Sequence, residues 1–268
     1  MNRALFVTVL KINARTVASY LISVIFYLWL LIWIFPSFAG SQSFNALLQK
    51  MPRGLMKALG YSVGTTHLGG FLAGEFYSLL YLVIMAMYVI TTATKLMARL
   101  IDNGSMAYLL ATPVSRARVA LTQAAVLVGG VLIIGLCGTV GALLGARWFA
   151  HHAGMDAAYF VQMNIVGTLL FCAVSGYCFL FSCLARDERT ALGLSAALTV
   201  LFYALHTVGT LSQRFSWLSR LSLFSVFDPQ NLMLGRGHFA AASVSLAALA
   251  VVLFGVAIAV FRRRQLAL

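Results

Sequence analysis

Six mostly apolar stretches, each about 20 residues or longer, constrain this chain more than any other feature of its sequence. In hydrocarbon every backbone N–H and C=O must find its partner within the chain, so each stretch is expected to be a helix. The spans read as Val17–Pro36, Phe76–Thr94, Val119–Ala146, Ala157–Ala185, Ala191–Leu211 and Phe239–Phe261. The third and fourth exceed the need of one crossing and should tilt or protrude. Trp29 and Trp33 stand near the outer end of the first, where an interfacial aromatic belt belongs. With 62% hydrophobic and 9% charged residues, no soluble domain could shield this much apolar surface. The expected fold class is all-α integral membrane, with one six-helix transmembrane domain over residues 1–268.

The chain carries 19 Lys and Arg against 6 Asp and Glu. The basic residues cluster at the ends of the apolar stretches and form no single face, which argues against nucleic acid and for orientation in a membrane. With the N-terminus inside, the inner segments hold Arg3, Lys11, Arg15, Lys95, Arg99, Arg116, Arg118, Arg186, Arg189 and Arg262 to Arg264. That is twelve of the 19, against seven in the longer outer segments, so both termini are expected in the cytoplasm. Arg3 to Arg15, the apolar run and Ser37-Phe38-Ala39 could imitate a signal peptide, but the run is longer than a secretory core.

Between the spans, residues 2–16 alternate apolar and basic positions, as suits a helix lying along the inner membrane surface. On the outer side, Phe44, Leu47, Leu48, Met51, Leu55, Met56 and Leu59 recur at helical spacing, with Pro52 starting a second short helix and Gly60 ending it. The stretch 212–236 is apolar but broken by Ser216, Ser219, Arg220, Ser222, Ser225 and Asp228-Pro229, which suggests re-entrant or surface-lying external helices covered by protein. The inner loop Asp102–Arg118 reads as a short amphipathic helix that Gly104 opens and Pro113 ends.

Catalytic patterns do not occur. The sequence has no G-x-x-x-x-G-K-[ST] phosphate loop, no H-E-x-x-H, no G-x-S-x-G and no pair of carboxylates within the spans. No catalytic residue and no metal site is therefore expected. His151 and His152 are adjacent, so they diverge on a helix and make a poor ligand pair; His206 reads as a hydrogen-bonded packing residue. Cys137, Cys172, Cys178 and Cys183 lie within spans at no metal or redox spacing. Glu75 is either an interfacial residue at the outer end of the second span or a group lining an exit or pairing helices. Gly141 and Gly145 form a G-x-x-x-G that close helix packing explains.

The inner loop, with Asp102 as the acid followed by Gly104, Ser105, Leu109, Leu110, Thr112, Pro113, Val114, Ser115 and Arg116, resembles the first cytoplasmic loop of ABC-2 type transporter permeases. Asn103, Ala107 and Tyr108 stand where many members carry Glu. The basic end Phe261-Arg262-Arg263-Arg264-Gln265-Leu266 and the outer Met51-Pro52 stretch are also similar to that family, so the resemblance covers nearly the whole chain. It implies a permease subunit of an ATP-binding cassette exporter in a bacterial inner membrane. Residues 103–111 would be the coupling helix, docked on an ATPase and braced by the surface helix at 2–16.

ATP and Mg would bind two separate ATPase subunits, with no cofactor in this chain. A second copy or a homologue would complete the membrane domain among the lipids, and no nucleic acid is implied. The second and fifth spans would then meet at a seam carrying cargo, with Tyr77, Tyr81, Tyr88, Phe202, Tyr203 and His206 as candidate lining residues. The competing class is a scaffold or secondary transporter without ATP coupling. A proton-driven carrier generally needs ionisable groups along its path, and the spans offer only His206 and Glu75.

Overall fold

The structure is a computed structural model that describes residues 3–39, 67–106, 115–149, 154–211 and 215–264. Among these the regular elements are helical, and six helices are long and apolar enough to cross a membrane. They are α1 (Arg3–Ala39), α2 (Leu68–Asp102), α3 (Arg116–Phe149), α4 (Ala157–Leu184), α5 (Glu188–Leu211) and, after two short helices, α8 (Phe239–Arg263). The short ones are α6 (Ser216–Leu221) and α7 (Pro229–Met233), separated by a 3-10 turn at Leu223–Val226. The expected outer stretch Phe44–Gly60, the pair His151 and His152, and loop residues Leu109, Leu110, Thr112 and Pro113 lie outside the described residues.

One expectation changes. Residues 3–16 do not form a separate helix that turns into the first span; they are the opening turns of α1, which is unbroken over 37 residues. No Gly or Pro stands between Arg3 and Phe35, so nothing in the sequence interrupts helical hydrogen bonding there. At 1.5 Å per residue α1 is about 55 Å long, well beyond a hydrocarbon core of about 30 Å. Its Lys11 and Arg15 can therefore stand clear of lipid while the apolar remainder spans it.

The second helix is not uniform. Leu68–Leu72 leads into a π-helix at Ala73–Leu80, α-geometry resumes at Tyr81–Leu96, and a break at Met97 (φ −126°) precedes Ala98–Asp102. The widened turns show in two contacts that each span five residues: the Tyr81 amide to the Phe76 carbonyl, and Ser78 Oγ to the Ala73 carbonyl at 2.8 Å. Part-buried Glu75 sits within this stretch, with no ion-pair or hydrogen-bond partner among the described residues.

Helix α4 is the centre of the bundle, buried along most of its length and packed along α8, α3 and α2. Helices α1, α5 and α8 are mostly exposed, as lipid-facing elements should be. Helices α1 and α3 run parallel, with a small-residue face on α3 receiving bulky side chains of α1. A Cβ at Gly130 would lie 3.3 Å from Val17, one at Gly138 3.2 Å from Val24, and one at Gly145 2.9 Å from Trp29. Trp29 Nε1 donates to the Gly141 carbonyl at 2.8 Å, a bond that only a close approach of the two backbones allows.

The 215–233 segment inserts Phe224 and Phe227 into the bundle and leaves Phe215 and Trp217 exposed. Phe224 stacks edge-on against Tyr203, and Phe227 packs on Gly167 and Tyr81. Ser222 Oγ donates to the Phe202 carbonyl (2.6 Å) and accepts from the Phe224 amide, and Asp228 caps α7. These local bonds satisfy a backbone that is too irregular to satisfy itself.

Candidate functional site

Both candidate regions depend on where the scarce charges and polar groups fall. Five of the six acids take part in helix capping or ion pairing. Asp156, Asp187 and Asp228 cap the helices that follow them, Asp102 bonds the first amide of α5, and Glu188 pairs with Arg99. A carboxylate beside a helix N-terminus satisfies free amides and meets the positive end of the helix dipole.

Three of these acids gather at the end of the bundle that carries Arg116 and the last turn of α8, making a charged collar. Asp102 closes α2, and its Oδ2 accepts from the Glu188 amide at 3.2 Å. Asp187 accepts from both the amide and the hydroxyl of Thr190 at 2.8 Å, which holds its carboxyl below the ordinary value. The first turn of α5 is thus capped by its own Asp187 and by Asp102 from α2. The Arg99 to Glu188 pair, 3.8 Å apart and half-exposed, adds little beyond about 0–1 kcal/mol.

On the other flank of the loop, Arg116 Nη1 donates to the Arg264 carbonyl at 2.6 Å. Arg264 Nη1 in turn donates to the carbonyls of Cys183 (2.5 Å) and Ala185 (2.9 Å), the terminal acceptors of α4. Each arginine thus caps the C-terminus of another helix, where the last carbonyls lack amide partners and a cation is favoured.

Between these flanks, Gly104 has φ +67°, a left-handed conformation that suits glycine, and helix begins again at Ser105 and the buried Met106. Asp102, Gly104, Ser105 and Arg116 therefore lie at one end of the molecule, though Asp102 and Arg116 are anchored to different helices.

The six aromatic and histidine candidates divide into two groups. Tyr77, Tyr81 and Tyr88 are 1–2% exposed and point into the bundle. Tyr77 donates to Asn164 Oδ1 at 2.8 Å, Tyr81 lies edge-on to Phe171, and Tyr88 packs on Tyr20 and Gly130. Phe202, Tyr203 and His206 are only half-buried on α5. Phe202 lies against Tyr177 and Ser222, and Tyr203 against Phe224. The buried Nδ1 of His206 has no hydrogen-bond partner among the described residues, contrary to the expected hydrogen-bonded histidine. Tyr177 and Thr199 share a 2.6 Å hydroxyl contact that ties α4 to this second group.

At the opposite end from the collar, His67, Gly69, Gly154, Asp156, Tyr159, Gln230 and Met233 enclose a cavity of about 270 Å³. Among the described residues no group of three or more His, Cys, Asp or Glu could hold a metal ion. Sequence reasoning missed Arg264, Glu188 and Asn164. Asn164 is the one with a usable signal, because an amide inside an apolar span needs a partner.

A search among curated proteins returned no match. A family model described as "Multidrug efflux system permease Rv1217c, C-terminal domain" matches residues 13–262, which covers all or most of each spanning helix and includes Asp102, Arg116 and Glu188. With a match over nearly its whole length, the chain belongs to this family of multidrug efflux permease domains and is a membrane-spanning transport permease.

Proposed function

We propose that this chain is the membrane subunit of an ABC-2 type exporter, driven by two separate ATPase subunits and completed by a second copy or a homologous chain. The collar carries this reading. The loop that resembles a coupling helix lies in sequence between Asp102 and Arg116, and both flanking residues bond directly to the ends of other spanning helices. A partner that displaces the loop would therefore pull on α5 through Asp102 and on α8 through Arg116.

The collar end also holds most of the chain's Lys and Arg, which suits a cytoplasmic face in a bacterial inner membrane with both termini inside. Six spanning helices would make half of a membrane domain of the ABC-2 type, so a second copy or a homologous chain would pair with this one. The half-exposed Phe202, Tyr203 and His206 on α5 are positioned to meet such a partner and line a cargo seam. Tyr77 and Tyr81 would reach cargo only if α2 and α4 part, and Tyr88 only if α2 parts from α1 and α3.

The test is a mild-detergent pull-down of the tagged chain from its native host, with bound proteins identified and ATP hydrolysis assayed. A stoichiometric ATP-binding subunit is the expected result. A chain that repeatedly purifies alone, without hydrolysis, refutes ATP coupling.

A further inference from the structure

The motif arginine after the loop does not point toward a docking partner. Arg116 is part-buried, its guanidinium turned to the carbonyl of Arg264 at the close of α8. That same residue's side chain reaches across to Cys183 and Ala185 at the close of α4. The start of α3, the end of α8 and the end of α4 are therefore joined in series by two guanidinium groups. Hydrogen bonds from a charged donor are shorter and stronger than neutral ones.

Arginine suits both steps: it stays charged, and a single Nη1 carries two N–H groups, which lets Arg264 reach the Cys183 and Ala185 carbonyls together while Arg116 reaches one. The second link is shielded as well: Cys183 is 0% exposed and Ala185 6%.

Resting on the reading above, we propose that Arg116 and Arg264 are positioning residues forming a two-step relay. It carries displacement of the loop to the ends of α8 and α4, while Asp102 carries it separately to α5. Arg116 acts inside the permease and makes no contact with the ATPase. Since α4 is the most buried of the spanning helices, the relay reaches the centre of the bundle.

Native Cys183 reports on the relay, because the Arg264 side chain covers its turn. In the purified chain, maleimide labelling mapped by mass spectrometry should find Cys183 protected. Arg264→Ala should raise its labelling several-fold. Arg116→Ala should do the same although Arg116 bonds Arg264 and not Cys183 itself, because it frees the backbone that aims Arg264. Cys172 and Cys178, buried higher on α4, should stay protected in every folded variant.

If Arg116→Ala exposes these as well, it has unfolded, and Arg116→Gln, too short to reach the carbonyl, gives the comparison. A rise with Arg264→Ala but none with the Arg116 variants overturns the relay; no rise with either overturns the cap on α4. With the ATPase bound, ATP plus vanadate should change Cys183 labelling in the native chain and not in Arg116→Gln. An equal change in both refutes transmission through Arg116. Failure of any ATPase to copurify refutes the exporter reading instead, and the labelling of the isolated chain still decides the relay.

Discussion

The bond from Tyr77 to Asn164 offers a direct measure of what holds α2 to α4. Tyr77 is 1% exposed and Asn164 4%, and the two meet at 2.8 Å deep in the bundle. Tyr77→Phe removes the hydroxyl and leaves Asn164 Oδ1 without its Tyr77 donor, while Asn164 Nδ2 still bonds the Phe160 carbonyl. Leaving one buried acceptor unsatisfied costs about 1–3 kcal/mol in water-soluble proteins. Bonds between membrane helices average nearer 0.6 kcal/mol, with a maximum of about 1.7. A loss of about 1.5 kcal/mol is expected, roughly a tenfold drop in the folding constant.

Asn164→Leu keeps the branched shape but strands the Tyr77 hydroxyl, so it should cost at least a similar amount. The double variant removes both polar ends and should cost less than the two singles together, by about 0.6–1.7 kcal/mol. Reversible SDS unfolding in mixed micelles, followed by tryptophan fluorescence, gives all four corners of the cycle. Single variants that add to within about 0.3 kcal/mol would show that the two groups do not interact, and the packing of α2 on α4 would need another explanation.

Other tests probe the collar and the α1 to α3 contact. Replacing Leu109 and Leu110 together with Asp should abolish ATPase association while leaving membrane insertion intact, as read by pull-down and membrane fractionation. A cysteine placed at Ser105 should react with impermeant maleimide only from the cytoplasmic side, and one at Ser41 only from outside; the reverse pattern overturns the topology. Gly145→Leu drives side-chain atoms into Trp29, and a destabilisation of about 1–3 kcal/mol is expected in the same unfolding assay. Asp187 is held below its ordinary value of 3.8, so its contribution is present at neutral pH and lost as pH falls through its lowered value. Asp187→Asn should therefore flatten the acid limb of a stability profile, and an unchanged limb would rule out this cap as a source of acid sensitivity.

The span positions were legible because hydrocarbon imposes one rule on every residue of a crossing. The ends of α4, α5 and α8 fall within a few residues of the apolar boundaries. Gly104 was legible for a similar reason, since few other residues take a positive φ. The continuity of α1 was harder to see: amphipathic spacing in 3–16 marks a helix but cannot say whether the helix bends before Val17. The partners of Arg116 and Asp102 were not legible at all. A motif gives the loop's residues in order, whereas the acceptor at 264, those at 183 and 185 beyond it, and the amide at 188 are brought there only by the packing of three other helices. For the three tyrosines, alternation along a span could not separate an inward face from a seam, because both are apolar.

The π-helical stretch in α2 has a consequence for the phase of everything beyond it. Each hydrogen bond that reaches back five residues rather than four takes in one extra residue, so the face counted from Tyr88 toward the start of the helix slips around the axis at Ala73–Leu80. In an ordinary spanning helix, losing one residue rotates every side chain on one side of the gap away from its neighbours. Here the surplus is already held within the helix, and excising one residue between 73 and 80 would close the widened turns into α-geometry. Span 2 thus contains a short window where a change in chain length can be absorbed as a local tightening, while the rest of the bundle tolerates none.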